Sequence, residues 1–269
     1  MVQFDIAWEN PGENMRRIET LMGQSSDLDL VILPEMWSTG FTMQPEKVAE
    51  PAPGTALEWM ITQARKRNTA IAGSISVAEG THYFNRWYGV FPDGQVALYD
   101  KKHLFSYGGE DKHYTAGRSK AYMEIKGWKI MPVICYDIRF PAWCRNTDSY
   151  DLMMVVANWP VARIHHWDAL LKARAIENQS YVAAVNRIGT DGNGLHYNGH
   201  STVFDMNGQE ILALGEKEGF ETLALDKQLL SAYRDQFRFL QDRDPFTLSL
   251  IHISEPTRRT PISYAVFCL

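Results

Sequence analysis

The chain has 269 residues, 45% of them hydrophobic, and a net charge of −5 with no long run of like charge. That composition supports one substantial core and speaks against a nucleic-acid binder. No apolar run reaches the ~20 residues of a membrane span, and the N-terminus lacks a basic stretch followed by an apolar one. A cytoplasmic enzyme without membrane or nucleic-acid partners is the simplest expectation. Cys135, Cys144 and Cys268 are too few for a disulfide framework.

Strand and helix signals alternate along the chain, which favours α/β layers in a single domain over residues 1–247. Residues 2–7 read as the end of a first strand, and 14–22 has helical character. An apolar strand then runs into Leu33-Pro34-Glu35-Met36-Trp37, where Pro34 stops the ladder and turns the chain. The spacing predicts a helix over 56–67 with Thr55 as N-cap, followed by a buried strand over 69–76. Strands over 83–91 and 95–99 flank Pro92-Asp93-Gly94, a strong turn signal. The second of them ends in charge, at Asp100-Lys101-Lys102-His103. A strand over 129–134 runs straight into Cys135-Tyr136-Asp137, with a short helical stretch over 140–146 behind it. Another, over 151–157, ends at Asn158. A long helix over 164–178, a strand over 181–185, a hairpin of 201–205 and 209–214 around Met206-Asn207-Gly208, and a helix over 226–237 complete the pattern.

The chemistry gathers where apolar strands stop. A thiol at the end of a buried strand, before a tight turn, sits on rigid backbone with its sulfur in a cleft. The next backbone N–H groups are then free to face an oxyanion. The commoner fate of a lone cysteine is a structural one in the core. A Glu directly after an apolar strand sits in a rim where desolvation suits a carboxyl to general-base work. Taken singly, Glu35 reads as a surface carboxylate and Lys101 as a solvated lysine. With Asn158, all four fall at strand ends, which in an α/β sheet collects them at one edge.

In the order Glu, Lys, Cys, three stretches resemble the nitrilase superfamily of carbon–nitrogen hydrolases. They are Leu-Pro-Glu-Met-Trp-Ser-Thr-Gly-Phe (33–41), Asp-Lys-Lys-His-Leu-Phe (100–105) and Ile-Cys-Tyr-Asp-Ile-Arg-Phe-Pro (134–141). Gly109-Glu110, Tyr114-Thr115-Ala116-Gly117, Ala157-Asn158-Trp159-Pro160 and Arg174-Ala175-Ile176-Glu177-Asn178 add support over residues 2 to 247. The resemblance implies an αββα sandwich, usually dimeric, and hydrolysis of an amide through a thioester on Cys135. In it Glu35 is the general base and Lys101, with the Tyr136 N–H, receives the oxyanion. Lys101 rather than Lys102 is selected because the family's lysine precedes the histidine of His-Leu-Phe by two. Glu110 resembles a second carboxylate that positions lysine or substrate.

The same stretches look most like the omega-amidase branch, which hydrolyses the terminal amide of 2-oxo dicarboxylic acid monoamides such as 2-oxoglutaramate. No cofactor or metal is implied. Trp37, Phe41, Tyr136, Arg139, Asn158 and Trp159 are candidates for lining the pocket, and Lys102, His103 or Arg139 for holding the substrate's far carboxylate. A carbamoylase or nitrilase within the superfamily, and a catalytically silent dimeric binding module, are the alternatives. The intact Glu-Lys-Cys set counts against the silent module.

His165, His166, His196 and His200 lack the spacing of a zinc set, and adjacent histidines on a helix face apart. Arg174 and Glu177 stand at i, i+3 and read as an ion pair. Both ends of the chain look foreign to the family. Members usually carry more apolar residues before the first strand, so it reads as clipped, with a weakened sheet as the expected result. Residues 248–258 and 262–269 match, codon for codon, the translation of a transposase-type sequencing adapter. Segment 248–269 therefore reads as a non-native tail, comparable to a fusion scar, that is no part of the fold.

Overall fold

The computed structural model describes residues 1–25 and 27–248; of the adapter-like segment all but Leu248 lies outside the described residues. Two sheets form its centre. The first contains β1 (Leu30–Ile32), β2 (Ala70–Glu79), β3 (His82–Val90) and β4 (Val96–Asp100), in that spatial order, with Glu50–Pro51 paired to the far end of β2. The second contains β5 (Met123–Ile125), β6 (Trp128–Ile134), β7 (Leu152–Val156), β8 (Tyr181–Val185), β9 (Thr202–Phe204) and β10 (Glu210–Ala213). Its order is β10-β9-β8-β7-β6-β5, with β6, β7 and β8 parallel.

Side-chain alternation explains the layering. In the first sheet Ala70, Ala72, Trp87 and Tyr99 face the second sheet. Val31, Ile71, Ile75, Tyr88 and Val90 turn the other way, onto Ile18 and Met22 of α1 (Pro11–Met22) and Ala56, Met60 and Ala64 of α2 (Thr55–Arg67). The parallel strands of the second sheet are covered on both faces, so all five residues of β7 are buried. Their far side packs on Trp167, Leu171 and Ala175 of α3 (Ile164–Asn178) and on Leu230 of α4 (Lys227–Gln236). The result is the expected αββα sandwich.

Element boundaries mostly match the sequence pattern, and α3 and β8 match it to the residue. Thr55 is a correction: it is the first helical residue of α2, Gly54 holds the cap position, and the Glu50 carboxylate accepts the Ala56 N–H at 2.7 Å. The helix expected from residue 14 begins at Pro11, where Asn10 caps the Glu13 N–H and proline occupies the first turn. Val2–Gln3 pair with Gly219–Phe220 in a small separate ladder. The helical stretch expected over 140–146 is a single α turn, Pro141–Cys144, and an unexpected 3₁₀ turn, Cys135–Arg139, precedes it.

Candidate active site

Cys135 directly follows β6 and opens the 3₁₀ turn with φ +46°, a left-handed value that costs a non-glycine residue about 1–3 kcal/mol and persists only where its surroundings enforce it. Asp137 does much of the enforcing. Its buried carboxylate accepts hydrogen bonds from the Ile134 N–H (3.0 Å), the Tyr99 hydroxyl (2.7 Å), the His103 N–H (2.9 Å) and His103 Nδ1 (2.8 Å). Tyr99 in turn accepts from Trp143 Nε1 at 3.0 Å and the Lys102 N–H at 3.2 Å. From α3, Arg174 Nε donates to the Ile138 carbonyl at 2.9 Å while its Nη1 meets Glu177 at 2.8 Å, the expected ion pair. The cysteine's turn is thus clamped by the lysine strand on one side and a helix on the other. In the first turn of such a helix the opening N–H groups, Tyr136's among them, have no partner within the turn.

Three ionisable side chains lie behind the sulfur, all without solvent exposure. Lys101 Nζ sits 2.8 Å from Glu35 Oε1 and 3.0 and 2.9 Å from the two oxygens of Glu110. Asn85 Nδ2 donates to both carboxylates, at 2.8 Å to Glu35 and 3.2 Å to Glu110. The remaining oxygen of Glu35 accepts the Asn158 N–H at 2.8 Å, and Asn158 Nδ2 donates to the Glu35 carbonyl at 2.5 Å. Glu110 is further held by the Phe105 N–H at 2.6 Å. Every oxygen of the two carboxylates is therefore addressed by a donor, which is what lets the charges stay buried.

Burial alone would pull the Lys101 ammonium down, but Glu110 and then Glu35 outweigh it and hold it above the usual lysine range. Burial, partly countered by Lys101 and reinforced by Glu35, pushes Glu110 up. The Cys135 thiol is pushed well up, first by burial, then by the Glu35 charge against the pull of Lys101. Cys144, 3.4 Å from the Asp137 carbonyl, is buried away from the cluster and pushed up to about 12 by burial.

A narrow cleft opens over Cys135, walled by Phe41, Phe105, Tyr136, Asn158, Trp159 and Tyr197 and bearing the guanidinium groups of Arg139 and Arg163. Glu35, Lys101, Glu110 and Cys135 come together as the sequence suggested, and Phe41, Tyr136, Arg139, Asn158 and Trp159 line the cleft. Phe41 also lies under Lys101, 5.0 Å from Nζ to ring centroid. The register question resolves in favour of Lys101, since Lys102 points out over the Trp143 ring. His103 is occupied by Asp137 and stacked on Phe140, 3.6 Å between centroids. Neither Lys102 nor His103 reaches the cleft.

Trp37 is a correction. It is fully buried on the α1–α2 side of the first sheet, 5.0 Å from the Trp59 ring, and does not line the cleft. Met36, at φ +42°, turns the chain just after Glu35, so Glu35 faces the cluster while Trp37 enters the other core layer. Residues that sequence reasoning missed are Asn85, the four-donor clamp of Asp137, and Arg163. Arg163 lies three residues beyond the Asn158-Trp159-Pro160 run, the one signal that could have found it.

The sandwich and this cluster together supply what a hydrolase of carbon–nitrogen bonds needs. The chain belongs to the carbon–nitrogen hydrolase family, whose model matches residues 1–235. It is 41% identical to the omega-amidase YafV of Escherichia coli (strain K12) over 252 residues, 92% of this chain and 97% of that one. To the 2-oxoglutaramate amidase of Bacillus subtilis (strain 168) it is 34% identical over 247 residues, 90% and 95% of the two chains. The crystal structure of XC1258 from Xanthomonas campestris, a superfamily protein with an arsenic adduct in its active site, superposes with a TM-score of 0.88 at 42% identity, covering 93% and 97%. With relatives of this kind, the chain is an amide-cleaving hydrolase.

Proposed function

We propose that the protein hydrolyses the terminal amide of small 2-oxo dicarboxylic acid monoamides, 2-oxoglutaramate above all, to the 2-oxo acid and ammonia. The observation that carries the reading is Lys101 seated between Glu35 and Glu110, with Glu35 held by the N–H of Asn158, the residue whose carbonyl lies 4.0 Å from Cys135 Sγ. With its thiol pushed up, Cys135 carries its proton at neutral pH, so deprotonation has to accompany attack. Glu35 takes that proton as sulfur bonds to the amide carbon, and the carbonyl oxygen becomes an oxyanion facing Lys101 and the Tyr136 N–H. Glu35 returns the proton to the amide nitrogen, the carbon–nitrogen bond breaks, and ammonia leaves a thioester. Glu35 then draws a proton from water, which attacks the thioester; the carbon–sulfur bond breaks and the thiol is restored. Glu110 and Asn85 hold Lys101 and Glu35 in place through both steps.

The omega-amidase and 2-oxoglutaramate amidase relatives support the substrate class, and the narrow aromatic cleft suits a small, flat acid amide. A homodimeric assembly and a cytoplasmic setting go with the family resemblance. Ammonia release from 2-oxoglutaramate, N-carbamoyl amino acids and nitriles tests the reading, with rapid turnover expected for the first alone. Efficient use of the other two by reduced enzyme that leaves 2-oxoglutaramate intact would replace it with the carbamoylase or nitrilase alternative. Absence of turnover on all three would favour the silent module.

A further inference from the structure

Two cations stand in the cleft with no anion to meet them. Arg139 Nη2 lies 2.9 Å from His166 Nδ1, and its guanidinium covers the Trp159 ring at 4.9 Å. The Arg163 guanidinium lies over the Phe105 ring at 5.2 Å. All four of Arg139, Arg163, Trp159 and Phe105 line the cleft that also contains Cys135. Among the described residues neither arginine has a carboxylate partner. The buried arginines behave otherwise: Arg86 pairs with Asp100 at 2.6 Å, Arg174 with Glu177 at 2.8 Å and Arg187 with Asp5 at 2.8 Å. The His166 ring is held below the usual imidazole range, first by burial and then by His165, Arg139 and Arg163. The bond to Arg139 then uses the imidazole as acceptor and leaves the rest of the fork free.

Resting on the function proposed above, we infer that Arg139 and Arg163 form a paired reader of the substrate's anionic end, and that the pair excludes the α-ammonium of an amino acid. A 2-oxo acid offers acceptor oxygens only, on the carboxylate and the adjacent carbonyl, and two guanidinium forks offer donors only. Cation–π contact with the Trp159 and Phe105 rings restrains the two side chains, which lessens the freedom lost on binding. Glutamine carries the same amide and carboxylate as 2-oxoglutaramate, but its ammonium replaces an acceptor with a cation beside two cations. Selection between the oxo acid and the amino acid is thus made by charge at the cleft mouth, away from the reacting amide.

The test compares kcat/KM for 2-oxoglutaramate, succinamate, glutamine and the neutral amide pentanamide in wild type, Arg163→Gln, Arg139→Gln and Arg163→Lys, each checked for an unchanged melting temperature. Arg163→Gln should lower the ratio of 2-oxoglutaramate to pentanamide by roughly 10- to 100-fold, mainly through KM, with Arg163→Lys recovering part of it. The preference over glutamine should shrink in the same variants. A second readout is protection of Cys135 from iodoacetamide by 2-oxoglutarate, expected in wild type and lost in both glutamine variants. If anionic and neutral amides fell by the same factor, or neither moved, the paired reader would be overturned. Should wild type ignore 2-oxoglutaramate, the substrate proposal fails, and the protection experiment alone judges the pair: no protection in wild type overturns it.

Discussion

Asp137 holds His103 twice, accepting from its backbone N–H at 2.9 Å and from Nδ1 at 2.8 Å. The contact ties the turn that carries Cys135 to the loop that follows Lys101, so nucleophile and ammonium are fixed relative to one another by one carboxylate. Asp137→Asn would aim an amide NH₂ at groups that also donate. We expect a loss of about 1–3 kcal/mol in unfolding free energy and a fall in kcat larger than the rise in KM. Urea titration and steady-state kinetics on 2-oxoglutaramate check both; unchanged kcat in a folded variant would separate the clamp from catalysis.

Cys135, Glu35 and Lys101 act as one unit in the proposed mechanism. Each alanine variant should lose several decades of turnover, with double variants little worse than singles. Cys144→Ala should retain kcat within a factor of about three, because its sulfur lies behind the turn and reaches no cleft atom. Mass spectrometry of iodoacetamide-treated enzyme locates the label, and inactivation that tracks Cys144 would refute the assignment.

Thiol reactivity gives a signed prediction. Glu35 raises the Cys135 thiol and Lys101 lowers it. Replacing Glu35 with Gln should therefore shift the alkylation profile to lower pH even as turnover disappears. Lys101→Met should shift it to higher pH. Rates of iodoacetamide labelling between pH 6 and 10 in reduced enzyme decide the matter; a downward shift in the lysine variant would contradict the electrostatics.

Stability should fall on the alkaline side. Tyr99, Tyr150 and Cys135 are held well above their usual 10.0, 10.0 and 9.0 by burial. Lys101 is held above 10.5 by Glu110 and Glu35 against its own desolvation. In each case the native state keeps its proton to higher pH than the unfolded chain does. Their contribution is full below the unfolded values and is lost as pH rises through the folded ones. Denaturation midpoints should decline from about pH 9 upward, and a midpoint rising between pH 9 and 11 would contradict the argument.

Glu35, Lys101, Cys135 and Asn158 were legible because each stands where an apolar strand turns polar. Glu35 and Lys101 follow strands of the first sheet, Cys135 and Asn158 parallel strands of the second, and the facing of the two sheets, rather than one sheet edge, converts that local pattern into proximity. The αββα layering followed from alternating strands and helices together with the family motifs. What stayed hidden depends on contacts between distant segments. Asn85 reads as an ordinary polar residue in a strand until the β3–β4 register sets it beside Lys101, whose N–H donates to the Asn85 carbonyl at 3.0 Å. Asp137 shows its role only when residues 99–103 fold over it. Trp37 misled because composition gives its hydrophobicity but not which side of a two-faced sheet receives it. Thr55 misled for a related reason: a carboxylate from residue 50 takes over the capping bond.

The full burial of Glu35, Lys101 and Glu110 behind a cleft whose arginines remain partly exposed divides the electrostatics into a shielded floor and a wetted mouth. Dissolved ions screen exposed charges over about 10 Å at 0.1 M but penetrate little into a dry cluster. Raising sodium chloride should therefore weaken capture of anionic amides and leave the bond-breaking step alone. KM for 2-oxoglutaramate should climb with salt while kcat holds level, and the neutral amide should show neither change. Ionic strength thus becomes a probe of depth, sorting the residues that attract the substrate from those that transform it.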